Sequence, residues 1–554
     1  MSKCQQTTIA FMFMVLISLV SFSTHSYAAS KDAYHGIFTE YLERGPATVL
    51  SLEAHGKSAK DIDKSLSGLY QGNGLQPFWI KNGKPDSRAA DILAVLEDAE
   101  SHGLDPASYY TKKIHQYWDS KDAAGLVKLD ILLSMGMMRY VADQLEGRIE
   151  PREIDPKLFN SARDAEIDWD ILKQEAFEAP DMKAFLERQA PPFLQYRELR
   201  KKLSEYRQIA SKGEWPIIPE GKTLKPDEED QRVIIVRQRL AATGELSTKN
   251  MSSTVFDESL VEDVKRFQDR YNLNSDGVLG KQTLAVLNVS VAERIVQIII
   301  NMERYRWLKR FKDDRLVIVN IAGFRALAGK PGKFDLNMRV IVGKTYHATP
   351  VFSDSIKYIE FNPFWNLPAS IARSSTLPKL KKDPLYLQKN NMRIFQGWDE
   401  DAPELDSTTM DWSNISAKDM NRYRVRQDPG PNNALGTLKI MFPNKYSVYL
   451  HDTPAHGLFK QDRRAFSHGC IRMSKPAEMA AWVLGGEEKG WNLERIDEII
   501  KSQKRQVVNL EEPMPVYILY RTAFVNSENN MLYFYEDIYG RDKLLAKALF
   551  GALN

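Results

Sequence analysis

Three hydrophobic rhythms follow one another along the chain. From residue 29 to about 225 apolar positions recur at helical spacing: Leu93 and Leu96 run up to His102-Gly103, where glycine can end a helix. A second helix places Leu129, Leu132, Leu133, Met137, Tyr140, Val141 and Leu145 on one apolar face, with Gly147 positioned to cap it. Residues 216–229 are proline-rich and charged, as in a linker or surface loop. Leu260, Val264, Phe267 and Tyr271 then fall at i, i+4, i+7 and i+11, Asp276-Gly277 marks a turn, and residues 283–287 complete a three-helix unit. Its Phe267 and Tyr271 are core positions by that periodicity.

After a helical stretch at 291–308 the period changes to that of strands. Residues 316–321 and 339–342 are β-branched runs separated by glycine-containing turns, which predicts a mainly β domain. Residues 446–450 alternate as a strand, 476–484 read as a helix, and 516–520 with 531–535 read as a hairpin that finishes the sheet. Between Trp365 and about Pro429 lies an insertion carrying Pro368, Pro378 and Pro384 with Lys379, Lys381 and Lys382. An insertion of that length is functional or disordered. Its lysines read equally well as a solvated face.

At 554 residues the chain must form several domains, giving a multidomain α+β fold class. The 76 basic and 73 acidic residues leave a formal charge of +3, so nothing points to a nucleic-acid partner. Lys3, an apolar run at 9–20 and Ser26-Tyr27-Ala28 form a signal peptide over 1–28, which implies export; the alternative is an uncleaved inner-membrane anchor. Cys4 would leave with that segment, so Cys470 remains as a lone thiol. In an oxidising compartment it cannot form an internal disulfide, and it is a liability unless it is buried or reactive.

The chemistry gathers in residues 449–473, YLHDTPAHGLFKQDRRAFSHGCIRM. Cys470 is a candidate nucleophile, and His451 and His468 are both available as its base. Gly469 can adopt a geometry that aims the amides of 469 and 470 at one oxyanion. Tyr449 shares the face of His451 by alternation, whereas the adjacent Asp452 side chain points away, so a main-chain carbonyl is expected to orient His451. His456 belongs to the loop. No spacing among these histidines, Asp452 and Cys470 matches a zinc site, so neither metal nor cofactor is expected.

His451, a spacer of 15 residues, Ser467-His468-Gly469-Cys470 and Arg472 resemble the signature of the L,D-transpeptidases, enzymes that cross-link bacterial peptidoglycan. FNPFWNLP (361–368), PGPNNALGTLKIMFPN (429–444) and YLHDTP (449–454) resemble the large periplasmic members. YQGNGLQPFWI (70–80), HGLDP (102–106) and LEGRIEP (145–151) resemble their helical scaffold, and VKRFQDRYNLNSDGVLGKQTLAVLN a peptidoglycan-binding module. NMERYRWL (301–308) resembles the connector into the catalytic region.

The resemblance implies a division into signal peptide 1–28, all-α scaffold 29–229, three-helix module 230–290, connector 291–311, catalytic domain 312–505 with a cap at about 366–429, and C-terminal hairpin and tail 506–554. It implies that Cys470 and His451 are catalytic, that Ser467, His468, Gly469 and Tyr449 support them, and that Arg472 and Trp365 bind substrate. The implied partners are peptidoglycan stem peptides, a tetrapeptide donor and a diamino-acid acceptor, alongside other wall-synthesis enzymes. Carbapenems would acylate Cys470. An L,D-carboxypeptidase and a non-catalytic wall-binding scaffold are the alternatives; from the residues alone, only a cysteine acyl transferase follows.

Overall fold

The computed structural model describes residues 33–52, 59–155, 169–247, 250–308, 315–526 and 528–551. The expected signal segment with Cys4, and residues 309–311 of the connector, lie outside them. Among the described residues no single helix is long and apolar enough to cross a membrane.

The helical region is built around Ala123–Glu146. The Asp122 side chain accepts from Gly125 N at its start and Gly147 ends it, as the sequence leads one to expect. Its burial extends beyond one face, because Asp130, Ser134 and Arg139 are enclosed together with Leu132 and Met137. The helix is a central rod, and its Asp130 and Ser134 side chains are satisfied inside. The Asp130 carboxylate accepts from Tyr70 Oη at 2.6 Å and from Trp79 N at 2.8 Å, yet burial still raises it to about 7. A two-stranded hairpin, Ile80–Lys81 with Lys84–Pro85, interrupts the helices.

The three-helix unit uses Arg232–Ala242, Glu258–Arg270 and Lys281–Leu287. Leu260, Val264, Phe267 and Tyr271 are all buried, as their spacing predicts. The segment 216–229 is more than a linker: Ile218 and Leu224 are buried in the same core, and Leu224 bridges Leu279. Apolar side chains placed between its prolines bind it to the module.

Among the described residues the main sheet of the β domain has nine strands: β1 (Leu316–Asn320), β2 (Arg325–Lys330), β3 (Lys333–Gly343), β4 (Phe352–Phe361), β5 (Leu438–Met441), β6 (Leu450–His451), β7 (Ala465–Ser467), β8 (Ile471–Met473) and β9 (Gln506–Leu519). Their order is β7-β3-β8-β6-β5-β4-β9-β1-β2, and β2 also pairs with β3. The sheet therefore closes on itself. Closure depends on the length of β3, whose residues 333–339 pair with β2 while 340–341 pair with β8.

Two expectations need correction here. The strand expected over 446–450 shrinks to Leu450–His451, because Lys445-Tyr446 turn and Ser447 sits at φ 54°. The C-terminal hairpin does not finish the sheet: residues 516–519 pair with β1 and β4, while Ala523–Val525 and Leu532–Phe534 form a separate two-stranded sheet. That hairpin packs on the three-helix unit, where Tyr271 stacks on Phe534 at 5.7 Å and Arg270 donates to the Leu532 carbonyl.

The insertion expected as a cap folds with its own four-stranded sheet, in the order Trp365–Asn366, Tyr423–Gln427, Met392–Gln396, Glu404–Leu405. Leu367, Leu380, Ile394, Trp412 and Val425 fill its core. Lys379 donates to Tyr386 Oη and Lys381 to the Ser413 carbonyl, so both lysines bond within the cap.

Candidate active site

The site arises from one parallel pairing. β6 lies beside β8 with Leu450 opposite Ile471 and His451 opposite Arg472. Leu450 and Ile471 are fully buried in the barrel core, so by alternation Tyr449, His451, Cys470 and Arg472 share the other face. Residues 19 apart in sequence are thus brought to one level, held there in part by the Ile471 amide donating to the Tyr449 carbonyl at 3.1 Å.

His451 is buried, and its Nδ1 lies 2.5 Å from the Asp452 carbonyl. A carbonyl only accepts, so Nδ1 carries the proton and Nε2 keeps a free lone pair. Burial, reinforced by the charge of Arg472, lowers His451 to about 3. At neutral pH it is an uncharged base. The Asp452 carboxylate does different work: it accepts from Thr437 N and Oγ1, each at 2.8 Å, and so fixes the backbone whose carbonyl holds the imidazole.

Cys470 is half-exposed, and its thiol donates to the Ser447 carbonyl at 3.6 Å. Burial pushes the thiol up, while Tyr449 and the charge of Arg472 pull the other way. The resting pair is therefore neutral thiol and neutral imidazole. No hydrogen bond joins Cys470 to His451 or His468 in this state. Unliganded catalytic geometry is often loose in this way.

The Tyr449 ring lies 5.6 Å from that of His451, edge to face, and burial with the nearby Cys470 raises its hydroxyl. Among the described residues Arg472 is in no ion pair, and its Nε is buried without a hydrogen-bond partner. An unpaired guanidinium beside the thiol suits a substrate carboxylate. His468 is exposed and lies against His347, with ring centres 4.9 Å apart. Trp365 packs on the cap's own core in the strand paired to Gln427.

Of the two amides expected to face an oxyanion, that of Gly469 is already engaged. Gly469 does adopt positive φ, at 119°, but its amide donates to Ser467 Oγ at 3.1 Å. Ser467 Oγ in turn donates to the Cys470 carbonyl at 2.6 Å. The Cys470 amide, in contrast, makes no hydrogen bond among the described residues. Thr437, Ser447 and Thr349, whose hydroxyl donates to the Gly469 carbonyl at 2.8 Å, escaped the sequence reading. They lie outside the motif, and no local pattern marks them.

Comparison with known proteins now places these parts. Residues 314–510 match the L,D-transpeptidase catalytic domain, 64–203 the Scaffold domain, and 229–287 the "Putative peptidoglycan binding domain". The chain is a multidomain protein with an L,D-transpeptidase catalytic domain, a helical scaffold domain and a peptidoglycan-binding module. A Haemophilus influenzae protein named "Putative L,D-transpeptidase" is 33% identical over 290 residues, 51% of this chain. The match spans 57% of that relative's length.

Among solved structures, an L,D-transpeptidase from Mycobacterium smegmatis is 15% identical over 37% of this chain and 58% of its own, with a TM-score of 0.18. The L,D-transpeptidase of Xylanimonas cellulosilytica is 13% identical over 54% of this chain and 99% of its own, with a TM-score of 0.17. Superpositions this weak carry no argument. The domain set is consistent with an extracytoplasmic location.

Proposed function

We propose that this chain is a peptidoglycan L,D-transpeptidase that forms 3→3 cross-links through a thioester on Cys470. One observation carries the reading: the uncharged His451, its Nδ1 held by the Asp452 carbonyl, shares a face with the half-exposed Cys470 thiol and the unpaired Arg472. His451 Nε2 takes the thiol proton as Sγ attacks the carbonyl of the third stem residue, giving a tetrahedral oxyanion beside the Cys470 amide. The C–N bond to the terminal D-alanine then breaks. His451 returns the proton to the departing amine, and the thioester remains. A side-chain amine of a second stem attacks that thioester, loses a proton to His451, and releases the Cys470 thiol with a new amide bond formed.

Starting from a neutral pair, proton transfer must accompany attack. General-base catalysis of that kind contributes roughly 10² to 10⁴ in rate. Arg472 binds a stem carboxylate, and the cap encloses the peptide. The domain boundaries near residues 229, 290 and 311, export to the periplasm through segment 1–28, and acylation by carbapenems belong to the same proposal.

The test is to incubate the purified chain, beside Cys470→Ala, with disaccharide-tetrapeptide and follow products by mass. A Cys470-dependent dimer lacking one alanine supports transpeptidation. Tripeptide alone would replace it with carboxypeptidase activity, and an absence of product from both proteins would favour a wall-binding role without catalysis.

A further inference from the structure

We infer that Thr349 and Tyr539 are positioning residues that aim the Cys470 amide at the reacting oxygen. The inference rests on the acyl-transfer reading and goes beyond it to residues outside the motif. The carbonyl of Gly469 and the amide of Cys470 belong to one trans peptide plane, so they point in opposite directions and turn together. Fixing the carbonyl end fixes where the amide points.

Thr349 holds that end. Its side chain is fully buried, and its Oγ1 accepts from Gly343 N at 2.9 Å, which directs its only proton to the Gly469 carbonyl at 2.8 Å. The neighbouring peptide is locked separately, through the Gly469 amide on Ser467 Oγ. With both planes fixed, the unbonded Cys470 amide is the group left to meet a developing charge.

Tyr539 fixes Thr349 in turn. Its hydroxyl accepts from Thr349 N at 3.2 Å and donates to the Gly343 carbonyl at 2.6 Å, clamping both ends of the 343–349 loop. The ring is held on Tyr520, with centres 5.7 Å apart, and beneath the Arg541 guanidinium, which pairs with Asp155 of the helical region at 2.9 Å. Tyr539 lies beyond the 314–510 span of the catalytic domain match. The C-terminal segment therefore completes the nucleophile turn from outside that domain.

Two reactions at one sulfur separate this role from simple support of the fold. Acylation by a carbapenem develops an oxyanion and needs the amide, whereas alkylation by iodoacetamide does not. Both rates are followed by intact mass on the full chain, with kcat and KM for disaccharide-tetrapeptide measured alongside. Thr349→Val should slow acylation about ten- to a hundredfold, short of or near the loss of an oxyanion donor itself. Its KM and alkylation rate should stay close to wild type. Tyr539→Phe should slow acylation about three- to tenfold, and Thr349→Ser, which keeps the hydroxyl, should restore it to within about threefold.

Wild-type acylation in Thr349→Val, or alkylation falling in parallel with acylation, would overturn the inference; an unchanged rate in Tyr539→Phe would remove Tyr539 from it. A wild-type chain that is alkylated but never acylated would overturn the acyl-transfer reading and this inference with it.

Discussion

The backbone carbonyl of Asp452 lies 2.5 Å from Nδ1 of the preceding residue, His451, while the Asp452 carboxylate is turned away onto Thr437. One residue thus orients the base with its main chain and secures itself with its side chain. Gly436 makes room for that arrangement, since it sits at φ +65° and a Cβ there would run into the Asp452 carboxylate. Gly436→Ala should cost about 1 to 3 kcal/mol of stability and slow acylation of Cys470, as strain moves Asp452 and the imbalance reaches His451. Urea midpoints and acylation rates measured on the same samples test this; a variant with both unchanged would show that the Asp452 carbonyl is held by other means.

The neutral pair at Cys470 and His451 sets a pH dependence with a definite sign. Alkylation by iodoacetamide consumes thiolate, and burial holds the Cys470 thiol above its ordinary value. Its rate should therefore climb about tenfold per pH unit between pH 6 and 8, and lag behind that of a free cysteine at each point. Acylation needs only unprotonated His451, lowered to about 3, so it should persist at pH 5 and fail as pH approaches that value. An alkylation rate already flat from pH 5 to 8 would reveal a thiolate–imidazolium pair in place of the neutral one.

His451→Gln keeps a hydrogen-bonding group in the buried site but removes the proton acceptor. Acylation should fall by roughly 10² or more, while Cys470→Ala abolishes it. Near-normal acylation of His451→Gln would move the base role to His468, whose exposed ring lies against His347.

Arg472 has two separable effects. As the unpaired cation of the site it should hold donor carboxylate, so Arg472→Gln should raise KM for disaccharide-tetrapeptide about tenfold or more with a smaller change in kcat. Its charge also lowers the Cys470 thiol, so the same variant should alkylate more slowly at pH 8. A loss confined to kcat would count against carboxylate binding.

Arg270 forms a buried ion pair with Glu245 inside the three-helix unit and also donates to the Leu532 carbonyl, which ties that unit to the C-terminal hairpin. Burial already raises Glu245, and removing Arg270 would leave it uncompensated. Arg270→Met should cost about 3 to 5 kcal/mol, whereas Arg270→Met with Glu245→Leu should recover much of that loss. Thermal melts of the single and double variants decide; a single variant as stable as the double would show the pair to be unimportant.

Periodicity made the local elements legible wherever burial has one simple direction. Leu260, Val264, Phe267 and Tyr271 lie inside because a helix against a core needs one apolar stripe. The same logic misjudged Ala123–Glu146, where the apolar stripe was visible but polar Asp130 and Ser134 are buried too, satisfied by Tyr70 and Trp79 more than 50 residues away. It misplaced residues 531–535 because a strand's pattern does not name its partner: they pair with 523–525 and pack on the three-helix unit instead of extending the sheet.

The sequence by itself determined the chemical parts of the site: a thiol after Ser-His-Gly, a histidine 19 residues earlier, and a glycine able to take positive φ. Such information is local, written in residue type and spacing. Tertiary structure alone decided that β6 and β8 run side by side in parallel, so that Tyr449, His451, Cys470 and Arg472 share one face. It also decided that Ser467 occupies the Gly469 amide, that Asp452 supplies its carbonyl, and that Thr349 and Tyr539 reach the nucleophile turn from residues 121 positions before and 69 after Cys470. Hydrogen bonds between distant segments depend on how the barrel closes, and closure is set by the packing of the whole sheet rather than by any one stretch of chain.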